Sequence, residues 1–189
     1  MRIVGGRLKG RALQGPKSEG IRPTSDRLRE TLFNILAHSY GDPLKGARVI
    51  DLFAGTGAFG LEALSRGAEF CLFVDDGAQA RALIRENVEN LGLGGVTRIF
   101  RRDARKLGEK PPGAPYTLAF LDPPYNRGLA EPALTSLLLG GWLAPEALVL
   151  VEEAAAALFE PAPGFDVLER RDYGETEVIF LRLAANGPS

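Results

Sequence analysis

Four consecutive residues, Asp122-Pro123-Pro124-Tyr125, have the groups needed to methylate an amine attached to a nucleobase. The lone pair of such an amine is delocalised into the ring. The nitrogen is therefore a weak nucleophile until acceptors hold its N–H bonds toward a tetrahedral arrangement. The Asp122 carboxylate and the Pro123 carbonyl are such acceptors. Adjacent prolines fix φ and carry no N–H, which stiffens the loop and leaves its carbonyls free, while the Tyr125 ring offers a flat face for a stacked base. Taken alone, the same residues also suit a strand that ends in a proline turn, with Asp122 as a cap and Tyr125 as rim packing.

A second signal lies upstream. The segment Asp51-Leu52-Phe53-Ala54-Gly55-Thr56-Gly57-Ala58-Phe59-Gly60 contains a literal G-x-G-x-x-G, and Asp75 follows Gly57 by 18 residues, near the place of a ribose-binding acid in dinucleotide sites. A nicotinamide-dinucleotide oxidoreductase is thus one reading. Charge argues against it, because Asp51 ends a predicted strand inside the ligand crevice, where a carboxylate opposes a pyrophosphate. Two unit charges about 4 Å apart interact by about 1 kcal/mol in water and about 4 kcal/mol at an effective dielectric near 20. S-adenosylmethionine, with a sulfonium, an ammonium and one carboxylate, is net positive and suits an acid-lined cleft.

The elements that must position these groups alternate in type. Short apolar runs predict strands at 47–52, 69–74, 96–101, 116–121 and 147–152, with helices near 59–66, 77–91, 130–139 and 154–159 between them. This order is that of a parallel sheet with crossover helices. Asp51, Asp75, Asp103 and Asp122 each fall at or just past the end of a predicted strand, and strand ends form the ligand crevice of an open α/β sheet. Segments 165–172 and 176–183 flank Tyr173-Gly174-Glu175 and predict an antiparallel hairpin. Upstream, Arg22-Pro23-Thr24-Ser25-Asp26 is a helix start, and Leu28, Leu32, Ile35 and Leu36 form the apolar stripe of the helix that follows. Residues 1–20, rich in Gly, Lys and Arg, predict a mobile or loosely paired arm.

The chain has 189 residues, 45% of them hydrophobic and 25% charged, as in an ordinary soluble domain. We divide it into a basic arm with its docking helix, 1–40, and a catalytic domain, 41–189. No apolar run approaches the roughly 20 residues of a membrane span, and the N-terminus lacks the apolar core of a signal peptide, so a cytoplasmic protein is expected. His38 and Cys71 are the single residues of their types, which leaves no Cys/His zinc site and no thiol beside the proline loop. The net charge is −1, yet residues 1–31 hold eight Lys/Arg against three acids. A basic, glycine-rich head on an acidic body is suited to a phosphate backbone.

Arg2-Ile3-Val4-Gly5-Gly6 with Lys9-Gly10-Arg11, then Arg22-Pro23-Thr24 with Asp26-Arg27 and Arg29-Glu30, the Asp51–Gly57 loop, Leu61–Ala68 and Asp122–Tyr125 follow one another in a recognisable order. In these motifs the chain resembles the RsmD family of 16S rRNA guanine-N2 methyltransferases, of the Class I S-adenosylmethionine-dependent superfamily. The resemblance implies an α/β Rossmann-like fold. Its mostly parallel seven-stranded sheet would be flanked by helices, with a C-terminal antiparallel hairpin and a short basic N-terminal extension. It implies that Asp51, Phe53, Ala54, Gly55 and Gly57 surround the methionine part of the cofactor, with Asp75, which directly follows Val74, favoured over Asp76 on the ribose and Asp103 on the adenine. Asp122, Pro123, Pro124 and Tyr125 would hold the target guanine. Arg2, Arg7, Lys9, Arg11, Arg22, Arg27 and Arg29 would contact RNA. It further implies a monomer that needs no metal and acts on small-subunit rRNA, free or within an assembling particle, after the base has left its stack. The same proline loop serves adenine N6 and cytosine N4, so another base amine in RNA or DNA is the alternative.

Overall fold

A computed structural model describes residues 1–17 and 23–185; Arg22 lies outside them. The chain divides into two compact units, Met1–Arg101 and Arg102–Ser189.

In the first unit, helix α1 (Asp26–Ser39) starts where the Ser25 hydroxyl accepts the Leu28 N–H at 3.1 Å, which satisfies one of the free amides of a helix start. The helix buries Arg29, Leu32, Phe33 and Leu36. Strands β1 (Arg48–Leu52), β2 (Phe70–Val74) and β3 (Thr97–Phe100) run parallel, with Asp51 opposite Phe73. The last four residues of both β1 and β2 are buried, which is why these strands read as unbroken apolar runs and not as alternating ones. Helices α2 (Ala58–Ser65) and α3 (Ala78–Leu91) make the crossovers, and Gly92, at φ 70, ends α3.

Of the two forms expected for the arm, mobile or loosely paired, the paired one is present. Residues 1–13 are a paired hairpin: the Ile3 N–H donates to the Arg11 carbonyl, the Gly10 N–H to Ile3 and the Leu13 N–H to Met1. Ile3, Leu8 and Leu13 are buried, three apolar anchors interleaved with Arg2, Arg7, Lys9 and Arg11. The hairpin is also fastened to α2, because the Leu8 N–H donates to Ser65 Oγ and Ser65 Oγ–H donates to the Gly5 carbonyl.

The second unit contains β4 (Tyr116–Leu121), α4 (Ala130–Leu139), β5 (Leu143–Ala154), β6 (Phe165–Tyr173) and β7 (Thr176–Leu183). β4 and β5 are parallel, and β7 lies between β5 and β6, antiparallel to both. The expected hairpin is present, turning at Gly174 with φ 69. The helix expected at 154–159 is reduced to one 3-10 turn, Ala155–Ala157. β5 stays paired with β7 through Ala154↔Thr176, and a short alanine run cannot nucleate a helix against that pairing. The strand order is β3-β2-β1 in the first unit and β4-β5-β7-β6 in the second.

Candidate active site

The loop after β1 is bent by three left-handed residues, Phe53, Gly55 and Gly57, at φ 55, 60 and 81. Phe53 has a Cβ and adopts this conformation at a cost of order 1–3 kcal/mol, the kind of local strain that collects at functional loops. The glycines have separate reasons to be glycine. A Cβ on Gly57 would lie 3.3 Å from the Phe73 ring, and one on Gly60 would lie 2.5 Å from both Cys71 Sγ and that ring. Gly60 thus lets α2 rest directly on β2, the packing role of the third glycine in this fingerprint.

Two acids close the loop. Asp75 Oδ2 accepts the Gly55 N–H at 3.0 Å and Oδ1 accepts the Gly77 N–H at 2.9 Å, whereas Asp76 is exposed. Asp51 is 1% exposed and accepts the Gly60 N–H at 3.1 Å. Burial pushes the Asp51 carboxyl well above the usual carboxylate range; the Gly60 N–H opposes the shift, and the charge of Asp75 adds to it. An ammonium group bound beside Asp51 would favour its ionised form, whereas a pyrophosphate would push the carboxyl further up, so the site suits a cation better than an anion.

Sequence reasoning does not single out Asn87. Buried on α3, it accepts the Gln14 N–H at 2.7 Å and donates from Nδ2 to the carbonyls of Gln14, at 3.1 Å, and Thr56, at 3.0 Å. One amide thus ties the hairpin to the glycine loop. The signal available in the sequence is a polar residue on the apolar face of a helix.

In the second unit Asp103 follows β3 and is gripped by Arg105, with Nη2 at 2.7 Å. That side-chain hydrogen bond, against partial burial, lowers the carboxyl's pKa. Asp122 follows β4 directly and is half-buried; Pro123 is buried, Pro124 exposed and Tyr125 half-buried. The Tyr125 hydroxyl reaches Glu152 and Thr176, and the Asn126 N–H donates to Glu153 Oε1 at 3.2 Å. The proline loop is therefore pinned to the end of β5 and the start of β7 by residues that sequence reasoning also misses. A cavity of about 660 Å³ in this unit, lined by Arg105, Lys106, Glu131 and Ser136 among others, contains none of the loop's residues.

The basic residues separate into two groups. Arg2, Arg7, Lys9, Arg11 and Arg27 are exposed. Arg29 must be removed from the RNA-contacting set. It is fully buried, donates to Glu62 Oε1 at 3.3 Å and Asp26 Oδ1 at 2.9 Å, and also binds the Arg2 carbonyl. A guanidinium with no exposed surface has nothing to offer a phosphate. Glu62, itself fully buried, also accepts the Val4 and Gly5 N–H groups and Arg66 Nε, each at 2.9 Å.

The chain is similar to known proteins along its length. The family model described as conserved hypothetical protein 95 matches residues 1–182. Ribosomal RNA small subunit methyltransferase D of Escherichia coli K12 is 44% identical over 155 residues, covering 80% of this chain and 74% of that protein. The protein of the same name from Haemophilus influenzae is 35% identical over 154 residues, covering 80% and 78%. The solved structure of Escherichia coli yhhF, provisionally described as a methyltransferase, superposes with a TM-score of 0.84 at 33% identity and covers 98% of each chain.

Proposed function

Because this chain belongs to the conserved hypothetical protein 95 family, the RsmD family of rRNA methyltransferases, we propose that it methylates the exocyclic N2 of a guanine in 16S rRNA. S-adenosylmethionine supplies a methyl group on a sulfonium, poised for in-line transfer. The observation that carries the cofactor assignment is the glycine loop closed by Asp75 on Gly55 above the buried Asp51. Asp51 faces the ammonium, Asp75 takes the ribose hydroxyls in place of the exposed Asp76, and Asp103 takes the adenine. Asp122 and the Pro123 carbonyl accept the N–H bonds of the target amine, and Tyr125 stacks on its ring. Positioning and exclusion of water provide the catalysis.

In this reading residues 1–40 capture rRNA and 41–189 hold the cofactor and the base. Phosphate contacts from Arg2, Arg7, Lys9, Arg11 and Arg27 orient the RNA without specifying its sequence. Among the described residues no helix is long and apolar enough to cross a membrane, and we assign the protein to the cytoplasm as a monomer.

Calorimetry is expected to show saturable binding of S-adenosylhomocysteine and none of NAD. Burial favours the protonated form of Asp51 in the free protein, while a bound ammonium favours its ionised form. Binding then releases a proton, so affinity rises with pH until Asp51 is already ionised in the free protein. Saturable NAD binding without S-adenosylhomocysteine binding reverses the assignment.

Replacing Arg7, Lys9 and Arg11 together is expected to weaken RNA binding and to reduce the log-log salt slope by about 1 for each phosphate that is no longer neutralised. Cofactor affinity stays unchanged. Binding titrations over a range of salt concentrations measure this, and an unaltered slope makes the basic head a solvated surface only.

A further inference from the structure

Tyr125 is half-buried and anchored at its hydroxyl. Its Oη lies 3.1 Å from Glu152 Oε1 and 2.7 Å from Thr176 Oγ1. Glu152 stands on β5 and Thr176 opens β7, where the pairs Glu152↔Val178 and Ala154↔Thr176 fix the two strands in register. Burial, assisted by the Glu152 and Asp122 charges, pushes the phenol up to about 12 against the lowering effect of Thr176. The hydroxyl therefore keeps its proton at neutral pH. A carboxylate only accepts, so Tyr125 donates to Glu152 and accepts from Thr176.

The neighbouring residue is held in the same way. Asn126 is left-handed at φ 60, and its N–H donates to Glu153 Oε1, which also accepts the Ala154 N–H at 2.8 Å. Consecutive residues of the loop are thus tied to consecutive residues of β5. A ring used only as a flat surface needs no partner at its far end. A ring whose plane must match that of a reacting base does, because small errors in orientation are expensive in rate.

We propose that Glu152 and Thr176 are positioning residues that set the plane of the Tyr125 ring, so that β5 and β7, and not the proline loop alone, determine the angle at which the target base is presented. This rests on the methyltransferase reading above. Glu152 and Thr176 act on the reaction through the tyrosine hydroxyl.

The test is single-turnover methyl transfer to rRNA by the full chain. It compares wild type, Tyr125→Phe, Glu152→Ala, Glu152→Gln, Thr176→Val and the double variant Tyr125→Phe/Glu152→Ala, with a thermal melt of each. Tyr125→Phe is expected to slow transfer about tenfold with cofactor affinity unchanged. Glu152→Ala should do the same, and Glu152→Gln, which keeps an acceptor oxygen, should recover part of the loss. The double variant should be no slower than Tyr125→Phe alone, because the shared hydroxyl is already gone. Thr176→Val approaches the same hydroxyl from another strand and should slow the same step if a Glu152 variant melts early. Multiplicative losses in the double variant, or Tyr125→Phe at the wild-type rate, overturn the clamp while leaving an active methyltransferase. A wild-type protein inactive on rRNA overturns the underlying reading and the clamp with it.

Discussion

Replacing Asp122 with alanine is expected to slow methyl transfer by roughly two to three orders of magnitude while leaving the fold and cofactor affinity nearly intact. As the amine nitrogen attacks the methyl group, it gains positive charge and its N–H bonds become more acidic. An acceptor held beside them therefore binds the transition state more tightly than the ground state, and only such differential interactions raise the rate. Removing one preorganised hydrogen-bonding group of this kind typically costs a factor of about 10² to 10³. Asp122 is well placed for the task, directly after β4 and only half-buried. Asp122→Asn keeps one acceptor oxygen and should fall between wild type and alanine. Single-turnover transfer beside a thermal melt measures both effects. Full activity in Asp122→Ala, or activity lost only through unfolding, would make the loop a structural turn.

The largest effect on stability is expected at Glu62. Glu62→Ala removes the carboxylate that Arg29, Arg66 and the Val4 and Gly5 amides share. Arg29 is fully buried, and its remaining ionic partner, Asp26, has a side chain 40% exposed. Stripping one member from a buried ion pair costs about 3–5 kcal/mol, because the other charge is left without compensation. Glu62→Gln keeps the acceptor oxygen but not the charge and should lose less. Urea unfolding measures both, and amide exchange at Val4 and Gly5 should rise with them. A loss below about 1 kcal/mol for the alanine variant, small beside the cost of an uncompensated buried charge, would mean that Asp26 and the Arg2 carbonyl are sufficient for Arg29, and that the hairpin does not depend on this node.

Arg29 also shows what sequence inspection gets wrong and why. Its charge groups it with the basic head, yet the buried residues of α1 are 29, 32, 33 and 36, spaced at i, i+3, i+4 and i+7 as one helical face. Its position on that face is readable from the period and is masked by its type. Glu62 is a parallel case, an acid inside the apolar run Leu61–Leu64, where every residue of α2 is buried. The acids at strand ends are legible because each needs only a strand and the residue that follows it. Asp51, Asp75 and Asp122 can therefore be located from local pattern alone.

The partners of the proline loop are not legible. Glu152 and Glu153 meet it because β5 runs parallel to β4 with Leu121 opposite Val151, and Thr176 meets it because β7 inserts beside β5 with β6 outside it; a hairpin signal in the sequence does not say which of its strands pairs inward. The extent of β5 is hidden for the same reason. Its last residue, Ala154, is paired with Thr176 of β7, while the alanine run that it opens suggests a helix. The burial of the paired arm escapes sequence reasoning because its three apolar anchors spaced five residues apart, Ile3, Leu8 and Leu13, match neither helical nor strand periodicity.

The reaction assigned to the protein is the transfer of a methyl group to the exocyclic amine of guanine in 16S rRNA. Its most direct test incubates the purified protein with methyl-labelled S-adenosylmethionine and small-subunit rRNA, both free and as the assembled particle, and then digests the RNA to nucleosides for mass spectrometry. The expected result is label in N2-methylguanosine at one site per molecule, absent when Asp122 is alanine. Label in methyladenosine or methylcytidine, or no incorporation into either substrate by a protein that binds the cofactor, would contradict it.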